Sequence, residues 1–550
     1  MTNKKRVLLV AEAHFLSSGF GTYAKELLTR LHATGKYELA EFAAYGRPNP
    51  PDTPWLFYPN MPPDGDKEAH EAYNAHPSHQ FGIWRFDKVC LDFKPDIVLS
   101  YRDPWMDEWI KHSPARPYFH WLWMPTVDSA PQRQEWVDSF ASCDAVLSYS
   151  EFGGEVLNNQ GKERINYIGC ASPGIDPDIY KPMDTAKIRQ EMGIDPDCFI
   201  VGTVMRNQKR KLFFELMKAF RLFLDTAPPE IAAKSFLYLH TSYPEKNGWD
   251  IADGIMQNKL GGKVMMTYIC KNCKGYFGKP FQDAMTTCRF CGNVSAVCPT
   301  VAFGVPIEEL AKIYNLFDLY AQYAICEGFG MPQVEAAACG VPVAATDYSA
   351  MYDVVRFTQG YPIPVRTFFR EIETNAERAY PDNAELAAVM NQFFSLSDKE
   401  KMQKSMEVRK ATISRYNWDN TAKVWEDYID SHVATGQQGR WDAPPSVRNL
   451  PPEVPPNLSH ADFIKFLFGS VVGQPELEHQ AIGARAARDL FLGAEINQGV
   501  LEPMNQQKLY QQHFNRANNK NQFELMRSGK AQFTVDSFII EARKHHGELS

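Results

Sequence analysis

The sequence contains no run of 18 or more apolar residues, so it offers no segment with the length of a membrane-spanning helix. Its start, Met1 to Arg6, leads into a strand-length apolar run rather than the longer core of a secretory signal, and the expected location is the cytoplasm. An excess of positive charge is also missing. The formal net charge of -8 excludes a protein that coats nucleic acid over its whole surface, although it leaves local basic patches open. Regularly spaced cysteines are scarce as well: Cys90, Cys143, Cys170, Cys198, Cys326 and Cys339 stand singly, as reduced thiols do, and four of the 11 cysteines form a pattern.

What is present is the composition of an ordinary globular protein, 44% hydrophobic and 23% charged. At 550 residues the chain is too long for one core, because single cores stop growing near ~250 to 300 residues. Arg6 to Ala11 reads as a buried strand, followed by a loop with Gly19 and Gly21 and a helix pattern over Thr22 to Ala33. The alternation recurs at Asp96–Ser100, Pro117–Trp121 and Asp144–Ser148. A second series runs through Phe199–Thr203, Ser235–His240, Leu319–Tyr323 and Val341–Thr346. Two α/β domains are therefore expected, over 1–178 and 179–432, the second interrupted by an insertion at 265–300. The proline-rich stretch within 433–458 denies both helix and ladder bonding and reads as a linker. Residues 459–550 have a mainly helical pattern.

The chemistry concentrates in Glu327-Gly328-Phe329-Gly330-Met331-Pro332-Gln333-Val334-Glu335. Glycines permit close approach of a ligand, and the N-terminus of the helix that begins here offers N–H groups and positive partial charge to a phosphate or sugar. A helix-capping pair of carboxylates on a tight turn would explain the two glutamates alone. The longer string from Glu327 to Val343, Glu-Gly-Phe-Gly-Met-Pro-x-x-Glu-Ala-x-Ala-x-Gly-x-Pro-Val, resembles the signature of glycosyltransferase family 4. That resemblance implies the GT-B fold, two Rossmann-like domains facing a cleft, and retaining transfer of a hexose from a UDP- or GDP-sugar with no catalytic metal. It also implies that Glu327 and the Gly328, Phe329 and Gly330 loop hold the donor sugar, and Glu335 the ribose.

Gly202 to Lys211 is similar to the family's strand and diphosphate-binding loop, with Arg206 and Lys211 the chosen cations, although the adjacent Lys209 and Arg210 leave the register open by a residue or two. Leu212 stands where the family has glycine. Gly19 and Gly21 lie where the family places a loop under the donor phosphates. For an acid or base the candidates are His120 and Asp128, placed after the strand whose end faces the acceptor; a histidine beside tryptophans also suits a plain core position. Asp64/Asp66, Asp176/Asp178 and Asp195/Asp197 have the spacing of metal-binding pairs but sit among turn residues, and turn chemistry is the preferred reading.

Cys270-x2-Cys273 and Cys288-x2-Cys291 have the spacing of a four-cysteine zinc ribbon, a closed structural site that folds an excursion too small for a core of its own. Cys298 lies beyond the pattern. Lys259, Lys263, Lys271, Lys274, Lys279 and Arg289 are interleaved there with Tyr268, Tyr276, Phe277, Phe281 and Phe290. Such interleaving suits phosphate contact and base stacking, or equally a solvated face. The acceptor is accordingly open: a hydroxymethylated base of viral DNA, a saccharide, a small molecule or a protein. The contrasting class is a non-catalytic GT-B module that recruits a partner through ribbon and tail.

Overall fold

A computed structural model describes residues 4–300, 303–432 and 441. The chain divides into two compact units, residues 1–122 with 432–550, and residues 123–431. Apart from Trp441, the linker at 433–458 and the extension at 459–550 lie outside the described residues.

In the first unit, β1 (Lys5–Glu12), β2 (Tyr37–Ala44), β3 (Leu56–Pro59), β4 (Ile97–Ser100) and β5 (His120–Trp123) take the order β3-β2-β1-β4-β5. Pairings β1–β2, β2–β3 and β1–β4 are parallel. The strand order reverses between β1 and β4, and ligands of open parallel sheets bind outside the carboxyl ends of the strands at such a reversal. The expected helix begins three residues earlier than its apolar periodicity, at Gly19, because the Ser18 side chain caps it by accepting the Gly21 N–H at 3.0 Å. Gly21 is required there, since a Cβ would sit 2.5 Å from the Leu16 carbonyl oxygen.

The second unit opens with β6 (Ala145–Ser148) and β7 (Tyr167–Cys170), paired in parallel. Its main sheet runs β12-β13-β10-β9-β8-β14-β15-β16, comprising β8 (Phe199–Val204), β9 (Ser235–His240), β10 (Val264–Cys270), β12 (Met285–Thr287), β13 (Val294–Val297), β14 (Leu319–Gln322), β15 (Val343–Thr346) and β16 (Tyr361–Ile363). β11 (Tyr276–Pro280) pairs antiparallel with β10. Here the order reverses between β8 and β14, as it does between β1 and β4. The helix Phe213–Thr226 that follows β8 buries Phe213, Leu216, Met217, Phe220, Phe223 and Leu224, an i, i+3, i+4, i+7 stripe against the sheet. Each such side chain contributes roughly 1.5–3 kcal/mol of apolar burial.

Val264 to Cys270 is a fully buried strand in parallel register with β9, so the excursion begins after Cys270 rather than at residue 265. β17 (Val365–Arg370) and β18 (Glu377–Pro381) form a separate antiparallel hairpin. Among the described residues no helix is long and apolar enough to cross a membrane.

A buried carboxylate ties two helices of this unit together. Asp353, on the helix Ala350–Phe357, accepts the Phe152 N–H at 2.7 Å in the first turn of the helix Glu151–Gly161. Burial, with Glu151 and Glu155 nearby, pushes its carboxyl up to about 6 from an ordinary value near 3.8. The folded state therefore holds this proton more tightly than the unfolded chain, and stability falls as pH rises from about 4 to about 6. Asp353→Asn keeps an acceptor oxygen without the charge. Its Tm relative to wild type should be higher at pH 7.5 than at pH 4, which thermal melts at the two pH values will read.

Candidate donor site and cysteine cluster

The Glu327 carboxylate lies at the strand-order reversal of the second unit, just beyond the carboxyl end of β14, and is 4% exposed. Its oxygens receive Arg210 Nη1 at 2.7 Å, Gln322 Nε2 at 2.7 Å and the Lys211 ammonium. The chain brings these groups together because residues 210–212 run antiparallel to residues 323–325. The Leu212 N–H donates to the Tyr323 carbonyl and the Ile325 N–H to the Arg210 carbonyl, both at 3.0 Å. Burial, then the neighbouring Arg210 charge, pushes the Lys211 ammonium well below its ordinary value, with nearby Cys326 opposing the shift. Tyr320 Oη donates to Gln322 Oε1 at 2.8 Å and so fixes which end of the amide faces Glu327. Of the two cations chosen from the sequence, Lys211 meets Glu327. Arg210 is the second cation on that carboxylate, whereas Arg206 is half-exposed and pairs with Glu245 at 3.4 Å.

Gly328 has a steric duty: a Cβ would lie 2.4 Å from the Thr126 Cγ2 methyl. Phe329 is buried edge-on against Tyr416, with ring centroids 5.4 Å apart, and anchors the loop. Gly330 adopts φ +87°, a left-handed conformation that costs glycine nothing, and caps the helix Met331–Ala338. Glu335 is consequently the fifth residue of that helix. Its oxygens accept Tyr180 Oη at 3.1 Å and Tyr314 Oη at 2.5 Å. Burial raises its carboxyl above the ordinary range, and the two tyrosine hydrogen bonds draw it partly back.

Buried polar atoms are ordinarily hydrogen-bonded. Among the described residues, Thr126 Oγ1, Thr241 Oγ1, Gln333 Oε1 and Thr346 Oγ1 are buried without a hydrogen-bond partner. Thr241 follows β9, Thr346 ends β15, and Gln333 lies on the helix after the Glu327 loop. Unmatched acceptors and donors at the carboxyl edge of this sheet fit a polar, hydroxyl-rich ligand. The sequence leaves Arg210 open as a neighbour of Lys211 and gives no signal for Thr126, Gln322, Tyr180 or Tyr314.

The two candidate bases occupy different environments. His120 opens β5 instead of following it, and its N–H donates to the Asp96 carbonyl at 2.9 Å, which places it at the amino end of that sheet. Its ring stacks on His432 with centroids 3.5 Å apart. The Asp128 carboxylate accepts Arg378 Nη1 at 2.9 Å, Ser129 Oγ at 2.8 Å and Cys326 Sγ at 3.2 Å. Burial acts to raise its carboxyl, but the Arg378 charge and these hydrogen bonds together hold it below the ordinary range. A carboxylate so held is a weak base and a strong brace. Gly19 and Gly21 form the first turn of the Ser18-capped helix in the first unit.

The Asp-x-Asp strings serve local backbone. Asp66 caps a helix through the Ala69 N–H, Asp176 accepts the Asp178 N–H, and Asp195 accepts the Asp197 N–H.

The sulfur atoms of Cys270, Cys273, Cys288 and Cys291 all lie within 4.8 Å of one another, and Cys270–Cys291 and Cys273–Cys288 are each 3.6 Å apart. Those separations exceed a disulfide and suit four thiolates at ~2.3 Å around one tetrahedral zinc. The Cys273 N–H points at Cys270 Sγ and the Phe290 N–H at Cys288 Sγ, each 3.4 Å away, so each knuckle also supplies backbone donors to a thiolate. Cys298 lies outside the cluster, in the hydrophobic core, where burial pushes its thiol up to about 12. Around the cluster, Lys263 donates to the carbonyls of Ala232 and Ala233, Arg289 to that of Glu191, and Lys279 to Thr286. Tyr268 and Phe277 are buried, Phe281 packs on the core and Phe290 is exposed. Much of the basic and aromatic content thus holds the ribbon to its own unit.

Residues 300–367 match the family described as "Glycosyl transferases group 1". D-inositol 3-phosphate glycosyltransferases are similar in sequence: that of Stackebrandtia nassauensis is 22% identical over 37% of this chain and 39% of its own length. The one from Segniliparus rotundus is 24% identical over 46% and 45%. The chain thus spans about two-fifths of the length of these relatives. In structure it resembles sucrose-phosphate synthase from Thermosynechococcus elongatus, at a TM-score of 0.55 with 15% identity over 78% of this chain and 100% of that one. HepE from Anabaena, solved with UDP-glucose, superposes at 0.53 with 14% identity and the same coverage. These likenesses show the fold, which is that of the GT-B glycosyltransferases.

Proposed function

We propose that the chain is a glycosyltransferase moving a hexose from a UDP- or GDP-sugar to an acceptor hydroxyl with retention of configuration. The observation that carries this reading is Glu327. Burying a carboxylate with two cations and an amide at the reversal point of a parallel sheet is costly, and such sites are where open α/β folds take their ligands. Similarity to sugar transferases over the same residues, and a structural neighbour solved with UDP-glucose, support it.

In this reading Glu327 and the backbone of Gly328 to Gly330 receive the hydroxyls of the donor sugar. Arg210, with Lys211 and Arg206, offsets charge on the departing diphosphate. Glu335 holds the ribose, its carboxylate preset by Tyr180 and Tyr314. The acceptor oxygen bonds to the anomeric carbon on the face from which the diphosphate departs. The carbon–oxygen bond to phosphate breaks, the electron pair leaves with the phosphate, and the acceptor proton passes to a phosphate oxygen. No side-chain nucleophile and no catalytic metal enter this scheme. Asp128 positions the Cys326–Glu327 segment through Arg378, which also contacts Cys326 Sγ at 2.9 Å.

The Cys270, Cys273, Cys288 and Cys291 thiolates hold one structural zinc that closes the excursion after β10. A saccharide or polyol acceptor is favoured over a DNA base, because Lys263, Lys279 and Arg289 already hold intramolecular partners.

Glu335→Ala should weaken UDP and GDP binding by about tenfold or more, the scale of a charged hydrogen-bond pair lost to a ligand. Isothermal titration will read it, and an unchanged dissociation constant removes the ribose assignment. Replacing Cys270 and Cys273 with Ser should lose one zinc per chain by elemental analysis and lower Tm; a wild type purified without zinc and indifferent to added zinc ends the ribbon reading. Hydrolysis of neither UDP- nor GDP-hexoses, with no transfer product by mass spectrometry, would favour the non-catalytic module.

A further inference from the structure

Glu335 is half-buried, whereas the two tyrosines that hold its oxygens are buried, Tyr180 at 4% and Tyr314 at 0% exposure. A packed tyrosine goes where its backbone carries it, so the aim of this carboxylate depends on two segments far apart in the chain. Tyr180 lies on the segment leading into the helix Thr185–Met192, and Tyr314 ends the helix Ile307–Tyr314. Asn315 joins the two segments. Its Oδ1 accepts the Met183 N–H at 2.8 Å, and its Nδ2 donates to the Lys181 carbonyl at 3.0 Å.

The cysteine-bearing excursion grips both segments. From β11, the Tyr276 hydroxyl donates to Glu309 Oε2 in the first turn of the helix Ile307–Tyr314. Glu309 Oε1 takes Lys312 Nζ at 3.0 Å, so that carboxylate is fixed at both oxygens. From the knuckle between Cys288 and Cys291, Arg289 Nη1 donates to the Glu191 carbonyl at 3.1 Å, near the end of the helix Thr185–Met192. The fit there is close. A Cβ on Gly193 would meet Arg289 Nη1 at 2.3 Å, and a Cβ on Gly278 of β11 would meet Ile194 Cδ1 at 2.9 Å.

The β10–β11 and β10–β13 pairings, with Phe277 in the core, already attach the excursion to the sheet. Attachment alone does not call for Tyr276 and Arg289 to reach two different helices. What these contacts share is their destination, one carboxylate. An excursion this small has little core of its own, and its shape is fixed when one zinc ion closes the four thiolates. Tyr276 follows Cys273 by three residues and Arg289 follows Cys288 directly, so both lie inside the loop that the ion closes.

We propose that Tyr276 and Arg289 are positioning residues of the nucleotide site: the zinc-closed ribbon sets the helices Thr185–Met192 and Ile307–Tyr314, these aim Tyr180 and Tyr314, and Glu335 is thereby preset for the ribose hydroxyls. This rests on the ribose assignment made above. Both residues act through Glu335, and holding a binding group in its bound geometry raises affinity without adding a contact to the ligand.

The test is titration calorimetry of the full chain with UDP and GDP, with zinc content and Tm measured on every variant. Tyr276→Phe removes the hydroxyl alone, and Arg289→Ala removes the guanidinium. Together they should weaken nucleotide binding about fivefold at one zinc per chain, less than Glu335→Ala does, because loosening a carboxylate costs less than deleting it. In a Glu335→Ala background the same pair of changes should shift the dissociation constant by less than about 1.5-fold, since contacts that work through one group are not additive. Arg289→Lys, which keeps a donor for the Glu191 carbonyl, should recover most of the loss from Arg289→Ala. A role confined to holding the ribbon would lower Tm and leave nucleotide affinity unchanged, and that result overturns the proposal. An equal loss of affinity with and without Glu335 also overturns it, because the ribbon would then act elsewhere. Should the paired changes release zinc, Tyr276→Phe alone should weaken binding about threefold with zinc retained, and unchanged affinity in that variant overturns the proposal. Wild-type binding that Glu335→Ala leaves unaltered overturns the ribose assignment, and with it this inference. Failure of the wild type to bind UDP or GDP overturns the donor reading itself, and both fall.

Discussion

The second unit depends on one buried carboxylate. Glu327 is held by Lys211, Arg210 and Gln322, and each of those contacts exists because a strand end delivers it: the segment after β8 brings the two cations, and β14 brings the amide. Removing Glu327 would leave Lys211 buried beside Arg210 with no counter-charge, a large cost for a marginally stable fold. The loop that carries Glu327 is in turn braced on every side. Thr126 fills the space that only a glycine at 328 leaves, Phe329 is sunk against Tyr416, and Asp128 reaches Cys326 directly and through Arg378.

The same architectural device occurs in both units. Each sheet reverses its strand order beside its first strand, and each reversal carries a buried glutamate with a dedicated set of donors: Glu327 with cations in the second unit, Glu41 with an imidazole and an indole in the first. The partners differ in kind. Cations beside a carboxylate suit a ligand with phosphate and hydroxyls, whereas Glu41 is held by an imidazole and an indole among aromatic rings. The cysteine cluster belongs to neither site. It closes an excursion that prolongs the second unit's sheet beyond β10, and its surrounding lysines and aromatics are largely spent on keeping that excursion attached.

Much of this is legible in the order of residues along the chain. Apolar runs of strand length locate β1, β4, β6, β8, β9, β14 and β15, since a strand buried on both faces leaves little room for polar residues. The spacing of Cys270, Cys273, Cys288 and Cys291 announces a cluster because knuckle geometry is local. Helix onsets are less legible: Ser18 and Gly330 act through capping and left-handed backbone, which apolar periodicity does not register. His120 is drawn to the wrong end of β5 because the strand begins three residues later than its aromatic run suggests.

What the sequence determined by itself is the set of local elements, the cysteine quartet and the glycine loop that follows Glu327, all encoded in residues near one another in the chain. What only the tertiary structure decided is which side chains meet. Arg210 rather than Arg206 reaches Glu327, two tyrosines from distant segments hold Glu335, and a histidine after β1 finds a glutamate on β2. Those pairings depend on strand order and register, which bring together residues up to 155 positions apart, and no local pattern of polar and apolar residues specifies that distance.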